Sequence, residues 1–306
     1  MWTLSVCIPI YNSDVRALVN TLCAQIAALP DAKIDIVLID DASAPEFKKC
    51  NVFSQSAVKS YALPQNIGRS RIRNTFFKHT DADYLLFIDG DSTIQDPLFL
   101  KNYADYLTQQ PTEVLVGASV YQNHKPNRAQ RLRWAYSTQR ESLDYQRRAQ
   151  NHQIGFKTNN FIIRRSLLLQ IPFDERLSGY GHEDTLLGLQ LAAQQIPIAH
   201  IDNPVWNLKL DANAEFLSKT DSALKNLLWL AENYPTLRLF EHNRLLQLHL
   251  KSTRHVVLKF LLGLSTSTIP FLGYLLKTGY APLFLFDLYR LLRLQQLDKN
   301  ALHDIY

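Results

Sequence analysis

Short runs of apolar residues alternate with segments in which apolar residues recur at helical spacing along most of the chain. A short apolar run bounded by turn residues is typical of a buried strand. Such runs predict strands at residues 4–10, 34–39, 58–63, 84–88, 113–118, 159–163 and 198–201. Helices are predicted between them, including residues 69–78, 97–109, 183–194 and 211–233. This alternation predicts an α/β fold with a doubly wound, mostly parallel sheet, in which ligands lie beyond the carboxyl ends of the strands.

The sequence after Tyr234-Pro235 differs in charge and composition from the sequence before it. The 306 residues carry a net charge of +5, and the whole excess lies in residues 244–306, a region rich in Leu and Phe. We therefore predict a main domain over residues 1–235 and a helical C-terminal extension over residues 236–306. Leucine-rich basic helices suit an anionic membrane surface better than nucleic acid, although a helical cap with ordinary solvated charges gives the same pattern.

Residues 260–276 form an uncharged stretch that is interrupted by glycine, serine, threonine and Pro270. A membrane-spanning helix needs about 20 predominantly apolar residues, so this stretch is not expected to cross a membrane. Shorter amphipathic pieces, broken at Pro270 and Pro282, are expected instead to lie flat at a membrane interface. Five basic residues would then meet anionic headgroups: Lys251, Arg254, Lys259, Arg290 and Arg293. The alternative is that the same leucines cover the main domain or a second copy of the chain.

The cysteines and the N-terminus indicate a reducing compartment. Cys7, Cys23 and Cys50 are an odd number without paired spacing, which predicts neither a disulfide framework nor a zinc site. The first residues lack basic charge and reach Pro9 at once, unlike a secretory signal peptide. A cytoplasmic location is the simplest expectation, with the extension holding the chain at the inner face of the cell membrane.

Four polar clusters stand at the ends of predicted strands or at the start of a predicted helix. They are Tyr11-Asn12, Asp40-Asp41, Asp89-Gly90-Asp91 and Gly181-His182-Glu183-Asp184. A single acidic residue at a strand end is usually a turn former or a helix cap. Four clusters at the same edge of one sheet favour a ligand site instead.

Asp89-Gly90-Asp91 carries the most informative chemistry of the four. Two carboxylates at positions i and i+2 of extended backbone face the same side, and Gly90 permits a tight turn. Their oxygens suit Mg²⁺ or Mn²⁺, which bind one or two carboxylates together with substrate phosphates. Arg69, Arg71 and Arg73 stand near a helix start, a setting that suits an anion. Only Arg73 is assigned a role, and the other two are expected on a solvated helix face.

Five motifs occur in order along the chain: LSVCIPIYN, IDIVLIDDAS, NIGRSRIRN, FIDGDS and GYGHED. Together they resemble the successive signatures of glycosyltransferase family 2, whose members are inverting enzymes with the GT-A fold. The resemblance spans residues 4–230 and implies a Rossmann-like sheet that binds a nucleotide-sugar donor, with uracil as the usual base.

The resemblance implies a donor site at the strand ends. By resemblance, Tyr11 stacks on the nucleobase, Pro9 belongs to the same donor-binding motif, and Asp41 reads the edge of the base. Asn66 and Arg73 match the motif in which the family holds the nucleotide or its phosphates. From the residues themselves, an ionised Asp41 could accept the N3–H of uracil, which cytosine lacks.

The resemblance also implies Mn²⁺ or Mg²⁺ at the acidic pair. Asp91 is the expected direct ligand, and Asp89 contributes to both the metal and the donor. Members of the family often have a histidine that completes the metal site after a later strand, and Asn207 stands at that place here. An amide oxygen can bind either ion, but neutrally and weakly, so Asn207 is a weaker candidate for the third ligand.

The Glu-Asp motif implies the catalytic carboxylates. Asp184 is the expected general base, and Glu183 would orient or bind the acceptor hydroxyl. Inverting displacement needs a base on the face of the sugar opposite the leaving nucleotide. The helix N-terminus is expected to keep Asp184 ionised at neutral pH. His182 is a further candidate for the acceptor site.

The chain is therefore expected to be a metal-dependent inverting glycosyltransferase that moves a sugar from a UDP-sugar to a hydroxyl of a glycan or lipid-linked acceptor. A sugar-nucleotide pyrophosphorylase is disfavoured because the first strand ends in Pro-Ile-Tyr-Asn rather than in a glycine-rich loop with arginine. A dehydrogenase is disfavoured because no Gly-x-Gly-x-x-Gly follows that strand. A catalytically silent nucleotide-sugar binder or scaffold of the same fold stays open as the alternative, and no nucleic-acid partner is expected.

Overall fold

The computed structural model describes residues 2–150, 156–207, 209–254 and 265–298, and the chain divides into two compact units. The first unit takes the described residues of Met1–Gln122, Ser142–Arg176 and Glu183–Lys209. The second unit takes those of Asn123–Glu141, Leu177–His182 and Leu210–Tyr306. Each unit has its own hydrophobic core.

The first unit is organised around two β-sheets. Its described strands are β1 (Thr3–Ile10), β2 (Lys33–Asp40), β3 (Val58–Ala62), β4 (Tyr84–Ile88), β5 (Ser92–Thr93), β6 (Val114–Val116), β7 (Ser119–Tyr121), β8 (Asn160–Arg164), β9 (Ile198–His200) and β10 (Val205–Asn207). Across the described residues, the larger sheet has the strand order β3-β2-β1-β4-β8-β6-β9, and the smaller sheet has the order β5-β10-β7. In the larger sheet β8 runs antiparallel to β4 and β6, and the other neighbouring pairs are parallel. The predicted mostly parallel sheet is confirmed.

Helices cover both faces of the larger sheet. The described helices of this unit are α1 (Arg16–Ala27), α2 (Pro45–Cys50), α3 (Arg69–Thr75), α4 (Phe99–Gln109), α6 (Tyr145–Gln150), α7 (Arg165–Gln170) and α8 (Glu183–Ala193). Side chains of α1 and α4 pack into the core on one face, and side chains of α3, α7 and α8 pack into the core on the other. Strand β4 reads YLLFI and is buried at every position, because alternate side chains enter the two cores.

The smaller sheet brings the segment after Asp91 next to Asn207. Strand β5 begins directly after Asp91, and β10 pairs with it in antiparallel fashion, with Asn207 opposite Ser92. Strand β7 pairs with β10 in parallel. Two residues predicted to bind a metal therefore lie at the same end of this small sheet, although they are far apart in the sequence.

The second unit is helical in its described residues. Its helices are α5 (Arg131–Tyr136), α9 (Asn213–Asn233), α10 (Leu239–His242), α11 (Arg244–Arg254), α12 (Ile269–Lys277) and α13 (Leu283–Leu297). An apolar core that includes Phe216, Leu272 and Phe286 joins α9, α12 and α13. Pro270 stands in the first turn of α12, where its missing N–H costs no hydrogen bond, and Pro282 directly precedes α13. Both prolines therefore mark helix starts.

Two of the basic residues predicted to meet lipid headgroups form ion pairs inside this unit. The Nη2 of Arg293 lies 2.7 Å from Oδ2 of Asp221. Arg290 lies 3.7 Å from Asp287, and its guanidinium stacks on an aromatic ring of α13. Lys259 and the side chain of Arg254 lie outside the described residues. The headgroup contacts of this set stay a prediction.

The predicted boundary near Tyr234 differs from the division into the two units, because α9 belongs to the second unit together with the C-terminal helices. The physical reason is that Phe216 and Leu217 of α9 pack into the core shared with α12 and α13. The assignment of residues 1–235 as a catalytic domain and of 236–306 as an extension stays a prediction. Among the described helices, none combines the length and the hydropathy that crossing a bilayer requires.

Candidate active site

The carboxyl ends of three neighbouring parallel strands gather predicted site residues in the first unit. Strands β2, β1 and β4 are adjacent, and the last residues of β1 and β2, Ile10 and Asp40, are register partners. The N–H of Asp41 donates to the carbonyl of Ile10 at 2.8 Å, which ties the two strand ends together. Tyr11, Asp41 and Asp89 directly follow the three strands, so the sheet places them at the edge where ligands of such folds lie.

The turn after β1 presents an aromatic ring to solvent. The side chain of Tyr11 is 57% exposed, whereas Pro9 is half-buried within β1. Asn12 has a φ of 49°, and its Oδ1 accepts a hydrogen bond from the N–H of Ala44 at 2.8 Å. The N–H of Asn12 donates to Oγ of Ser43 at 2.8 Å. These bonds fix the backbone of the turn from which the exposed ring of Tyr11 projects, and its stacking on a nucleobase stays a prediction.

Asp41 is buried and holds the loop that leads into α3. Its carboxylate accepts hydrogen bonds from the N–H of Ile67 at 2.7 Å and from the N–H of Gly68 at 3.1 Å. Asn66 is exposed, and its Nδ2 donates to the main-chain carbonyl of Asp41 at 3.3 Å. Burial raises the pKa of Asp41, and the two backbone N–H groups oppose that shift. Gly68 has a φ of 85°, which favours glycine at this position of the motif.

Two arginines and two carboxylates form a charged cluster at the start of α3. Arg73 is 1% exposed, and its Nη2 donates to Oδ1 of Asp89 at 2.8 Å. Arg69 lies one helical turn earlier, with Nη2 3.4 Å from Oδ2 of Asp89 and Nε 2.9 Å from Oε1 of Glu183. The Nη1 of Arg73 lies 3.9 Å from the same Glu183 oxygen. The two arginines therefore bridge the Asp-x-Asp motif and the Glu-Asp motif.

The cluster changes the interpretation of the three arginines. The expectation that Arg69 lies on a solvated helix face is wrong, because residues four apart share one face of a helix and Arg69 therefore faces the same carboxylates as Arg73. Arg71 is exposed and lies 3.8 Å from the exposed Glu175, as expected of a solvated face. Arg73 is buried against the ring of Phe173, at 5.6 Å from its centroid. Its predicted contact with the nucleotide stays a prediction.

The acidic pair has the chemistry of a hard-cation site. Asp91 is exposed at the surface, but neighbouring protein atoms partly desolvate its carboxyl, which is the main cause that raises its pKa. The charge of Asp89 raises the pKa of Asp91 further, and Arg69 opposes the shift. A divalent cation relieves such repulsion, and carboxylate and amide oxygens are the ligands that Mn²⁺ and Mg²⁺ prefer. Asp89, Asp91 and the buried Asn207 therefore fit the predicted metal, which itself stays a prediction.

No group of three or more His, Cys, Asp or Glu side chains that could hold a metal occurs within residues 2–150, 156–207, 209–254 and 265–298. Asn207 falls outside that set of residue types. The predicted donor set of two carboxylates and one amide therefore stays a prediction.

Glu183 and Asp184 open α8 and face different partners. Glu183 pairs with the two arginines of the charged cluster. Oδ2 of Asp184 lies 2.8 Å from Nζ of Lys157, and its Oδ1 accepts a hydrogen bond from the N–H of Thr185 at 2.7 Å. Lys157 is exposed, so the pair that it forms with Asp184 borders solvent. The predicted roles of the two acids remain predictions.

In the second unit, residues 177–182 form the loop that precedes Glu183 in the chain, and α9 holds this loop. Nδ2 of Asn226 donates to three loop carbonyls, those of Ser178, Tyr180 and Gly181, at 3.0, 3.3 and 2.9 Å. Gly181 has a φ of 95°, and a Cβ there would come 2.8 Å from Cβ of Ala223. The glycine therefore allows the loop to lie directly on the helix.

Three residues of these arrangements had no predicted role: Arg69, Lys157 and Asn226. The signal for Arg69 was its spacing of four from Arg73, which places both on one helix face. The signal for Asn226 was a polar residue among the buried positions of α9, next to Leu227 and Leu228. No sequence feature indicated a role for Lys157, because an isolated lysine outside any periodic pattern is typical of a solvated surface residue.

Comparisons with known proteins identify the family of this sequence. The model of the family described as "Glycosyl transferase family 2" matches residues 5–171, more than half of the chain. A curated relative, poly(ribitol-phosphate) beta-N-acetylglucosaminyltransferase TarS of Staphylococcus aureus, is 27% identical over 121 residues, which are 38% of this chain and 21% of that protein. The match thus spans about a fifth of the length of the curated relative.

Two solved structures share the architecture over most of the chain. The mannosyltransferase PcManGT from Pyrobaculum calidifontis, in complex with GDP-Man and Mn²⁺, aligns with a TM-score of 0.61 at 15% identity, covering 98% of this chain and 87% of that one. Glucosyl-3-phosphoglycerate synthase from Mycobacterium tuberculosis, in complex with Mn²⁺, UDP and glucosyl-3-phosphoglycerate, aligns with a TM-score of 0.52 at 18% identity, covering 74% and 79%. These likenesses show the fold, and the predicted GT-A architecture is confirmed.

Proposed function

The chain belongs to glycosyl transferase family 2, and we propose from this premise that it transfers a sugar from a UDP-sugar to an acceptor hydroxyl with inversion at the anomeric carbon. The observation that carries the proposal is the bridge that Arg69 and Arg73 make between Asp89 and Glu183. Because one cluster holds both motifs, a diphosphate at the first and an acceptor hydroxyl at the second would lie side by side, as a displacement requires.

The donor would occupy the edge of the sheet formed by β2, β1 and β4. The exposed ring of Tyr11 offers a stacking surface for uracil, and the carboxylate of Asp41 offers an acceptor for its N3–H. Asn66 lies on the loop before α3, which the Asp41 carboxylate holds, and it is exposed, so it can reach the nucleotide. Arg69 keeps a partly exposed guanidinium at this edge, which suits the negative charge of a diphosphate.

Asp91, Asp89 and Asn207 would hold Mn²⁺ or Mg²⁺. When bound, such an ion offsets the charge that develops on a departing diphosphate. The residues of this chain contribute the geometry: Arg73 holds Asp89 in place from the buried side, and the pairing of β5 with β10 holds Asn207 opposite Ser92.

Asp184 would act as the general base. As the acceptor oxygen forms its bond to the anomeric carbon, its proton passes to the Asp184 carboxylate, and the bond between that carbon and the diphosphate oxygen breaks with its electron pair. Glu183 would orient the acceptor hydroxyl. Its carboxylate is already engaged by two arginines, whereas Asp184 lies against the exposed Lys157.

The test uses the full chain with Mn²⁺, a panel of nucleotide sugars and a measurement of released nucleoside diphosphate. We expect Asp91→Ala and Asp184→Asn each to abolish transfer, and only Asp91→Ala to weaken metal-dependent nucleotide binding strongly in calorimetry. Asp105→Asn, which alters an exposed carboxylate of α4, is the matched control and should leave both readings unchanged. Full turnover by Asp184→Asn would show that the general base is wrongly assigned. If the parent chain released no nucleoside diphosphate from any nucleotide sugar of the panel, the result would favour a catalytically silent nucleotide-sugar binder.

We propose a glycan or a lipid-linked molecule as the acceptor and the inner face of the cell membrane as the location. TarS, by its name, transfers N-acetylglucosamine to poly(ribitol-phosphate), which supports a hydroxyl-bearing polymer as the acceptor. The free cysteines Cys7, Cys23 and Cys50 support a reducing compartment, and the basic segment 244–306 supports peripheral attachment to the inner face of the membrane. Release of nucleotide that rises on adding one acceptor from a glycan panel would identify the acceptor.

A further inference from the structure

Helix α12 of the second unit has an aromatic outer face. It buries Ile269, Leu272 and Leu276 against the core, as an amphipathic helix should. Its opposite face exposes Phe271 and Tyr274, whose side chains are 63% and 68% accessible. Because such a face normally carries charged or polar residues, large exposed aromatic rings at a spacing of three point to a binding surface.

Basic side chains border this aromatic face. Tyr280, which is 61% exposed, follows α12, and the guanidinium of Arg128 lies 4.6 Å from the centroid of its ring. The guanidinium of Arg131 lies 5.9 Å from the same centroid. Lys277 is exposed on α12, one turn beyond Tyr274 and on the same side. Aromatic and basic groups thus alternate over a short distance.

Hydrogen bonds hold the two segments together as one surface. Nδ2 of Asn213 donates to the carbonyl of Arg128 at 2.8 Å and to the carbonyl of Lys277 at 3.1 Å. Gly279 has a φ of 75°, and a Cβ there would come 2.0 Å from the carbonyl oxygen of Arg128. The turn after α12 therefore lies directly on the segment that precedes α5. We call this set the aromatic–basic surface: Arg128, Arg131, Phe271, Tyr274, Lys277 and Tyr280.

The two sequence segments that provide this surface contain no acidic residue. Residues 114–140 and residues 242–286 contain neither Asp nor Glu, and together they provide all six members of the surface. The positive charge of Arg128, Arg131 and Lys277 is therefore not offset by acids of the same segments. A partner that suits this surface carries negative charge at its boundary and accepts aromatic rings beneath that charge.

We propose that the aromatic–basic surface docks the protein on an anionic lipid bilayer. Aromatic side chains settle at the level of the headgroups, with their rings against acyl chains and the tyrosine hydroxyl groups in water. Lysine and arginine beside them are attracted by the negative potential of the leaflet. Arg290 and Arg293 are not part of this surface, because they pair with Asp287 and Asp221. The proposal rests on the second unit alone and does not depend on the catalytic assignment.

The test is co-sedimentation of the full chain with vesicles at low salt. We expect binding to equimolar phosphatidylglycerol and phosphatidylcholine, and little binding to phosphatidylcholine alone. Phe271→Ser and Tyr274→Ser should each lower the partition coefficient about tenfold, from the apolar area withdrawn from the bilayer. Arg128→Gln and Lys277→Gln should each lower it about fivefold, and raised salt should weaken binding of the parent chain.

Matched controls separate docking from folding. Val52→Ser and Leu169→Ser remove exposed apolar side chains of the first unit and should leave vesicle binding unchanged. Circular dichroism and thermal midpoints of all variants should match those of the parent. Absence of binding to anionic vesicles, or binding that all four surface variants retain, overturns the proposal. Self-association that Phe271→Ser abolishes, without vesicle binding, would assign the surface to a second copy of the chain and also overturn it.

Discussion

Replacing Asn226 with alanine is expected to loosen the loop that precedes the Glu-Asp motif. This loop, residues 177–182, lies on α9, and the N–H of Tyr180 donates to Oγ of Ser222 at 3.0 Å. The Asn226 side chain is buried, and its amide nitrogen contacts three loop carbonyls. Alanine leaves these carbonyls without that donor. Because Glu183 is the next residue in the chain, loosening the loop also frees the start of α8.

The magnitude follows from the hydrogen bonds that are lost. One amide nitrogen carries two N–H groups, so the three contacts of Asn226 amount to two full hydrogen bonds at any instant. A hydrogen bond contributes about 0.5–1.5 kcal/mol net, so the substitution should cost about 1–3 kcal/mol of local stability. A free energy of that size shifts the equilibrium between the open and the held loop by about 5- to 150-fold.

Amide hydrogen exchange measured by mass spectrometry reports this equilibrium directly. Exchange in a peptide covering residues 177–185 should accelerate by that factor in Asn226→Ala, while a peptide from β1 and β2 should keep its rate. Turnover should fall, and the KM for the donor should stay unchanged because the proposed donor site lies at the strand ends.

The control variant comes from the same helix. Asn233→Ala removes an exposed amide whose Nδ2 donates to the carbonyl of Trp229 within α9. It should change neither the exchange rate nor the turnover. Equal exchange in Asn226→Ala and in the parent protein would refute the reasoning, since the three contacts would then contribute nothing to holding the loop.

Two further predictions concern the charged residues of the site. Arg73→Leu removes a buried guanidinium and leaves Asp89 facing the partly exposed Arg69, so the free energy of unfolding in urea should fall by about 3 kcal/mol. Arg71→Leu, on the exposed face of the same helix, is the control. An equal loss of stability in both variants would contradict the stabilising role of the buried Arg73. Burial raises the pKa of Asp41, so its carboxyl group binds a proton more tightly in the folded state than in the unfolded chain. The contribution of Asp41 to stability therefore declines as the pH rises through the raised pKa. If the ionised carboxylate of Asp41 reads the base, UDP affinity in calorimetry should fall on acidification at a higher pH than for an ordinary aspartate. The UDP affinity of Asp41→Asn should be low and should not change over this pH range. A pH step that persists in Asp41→Asn would show that another group causes it.

The long strands were predictable because each is an apolar run with polar residues at both ends. Residues 84–88 are the clearest case, since both faces of β4 are covered and no alternation is needed. The predicted strand at 113–118 is confirmed as β6 but is shorter than expected: β6 ends at Val116, and β7 begins at Ser119 in the other sheet. The chain turns at Ala118, whose φ is 75°. The preceding residue is Gly117, and a Cβ at that position would clash with the hydroxyl of Tyr103 at 2.0 Å. A close approach of residues distant in sequence leaves no local pattern.

The acids of the site were predictable from motif order, whereas their partners were not. Asp89 and Asp91 follow a strand, and Glu183 and Asp184 begin a helix, so their positions along the chain already indicate one edge of the sheet. Asp89 and Glu183 form ion pairs with arginines of α3. These pairs depend on how α3 and α8 pack, and the spacing of hydrophobic residues does not specify that packing to the precision of a single side chain. This is why Arg69 looked like a solvated residue of a helix start.

The different partners of Glu183 and Asp184 explain why adjacent carboxylates can have different roles. Consecutive residues of a helix are about 100° apart around its axis. The side chains of Glu183 and Asp184 therefore leave α8 in different directions. Glu183 faces two guanidiniums, those of Arg69 and Arg73. Asp184 faces the ammonium of Lys157, whose side chain is exposed, so this ion pair borders solvent. In the proposed mechanism Glu183 would orient the acceptor hydroxyl and Asp184 would take its proton, so the different ion pairs of the two acids would separate the two proposed roles.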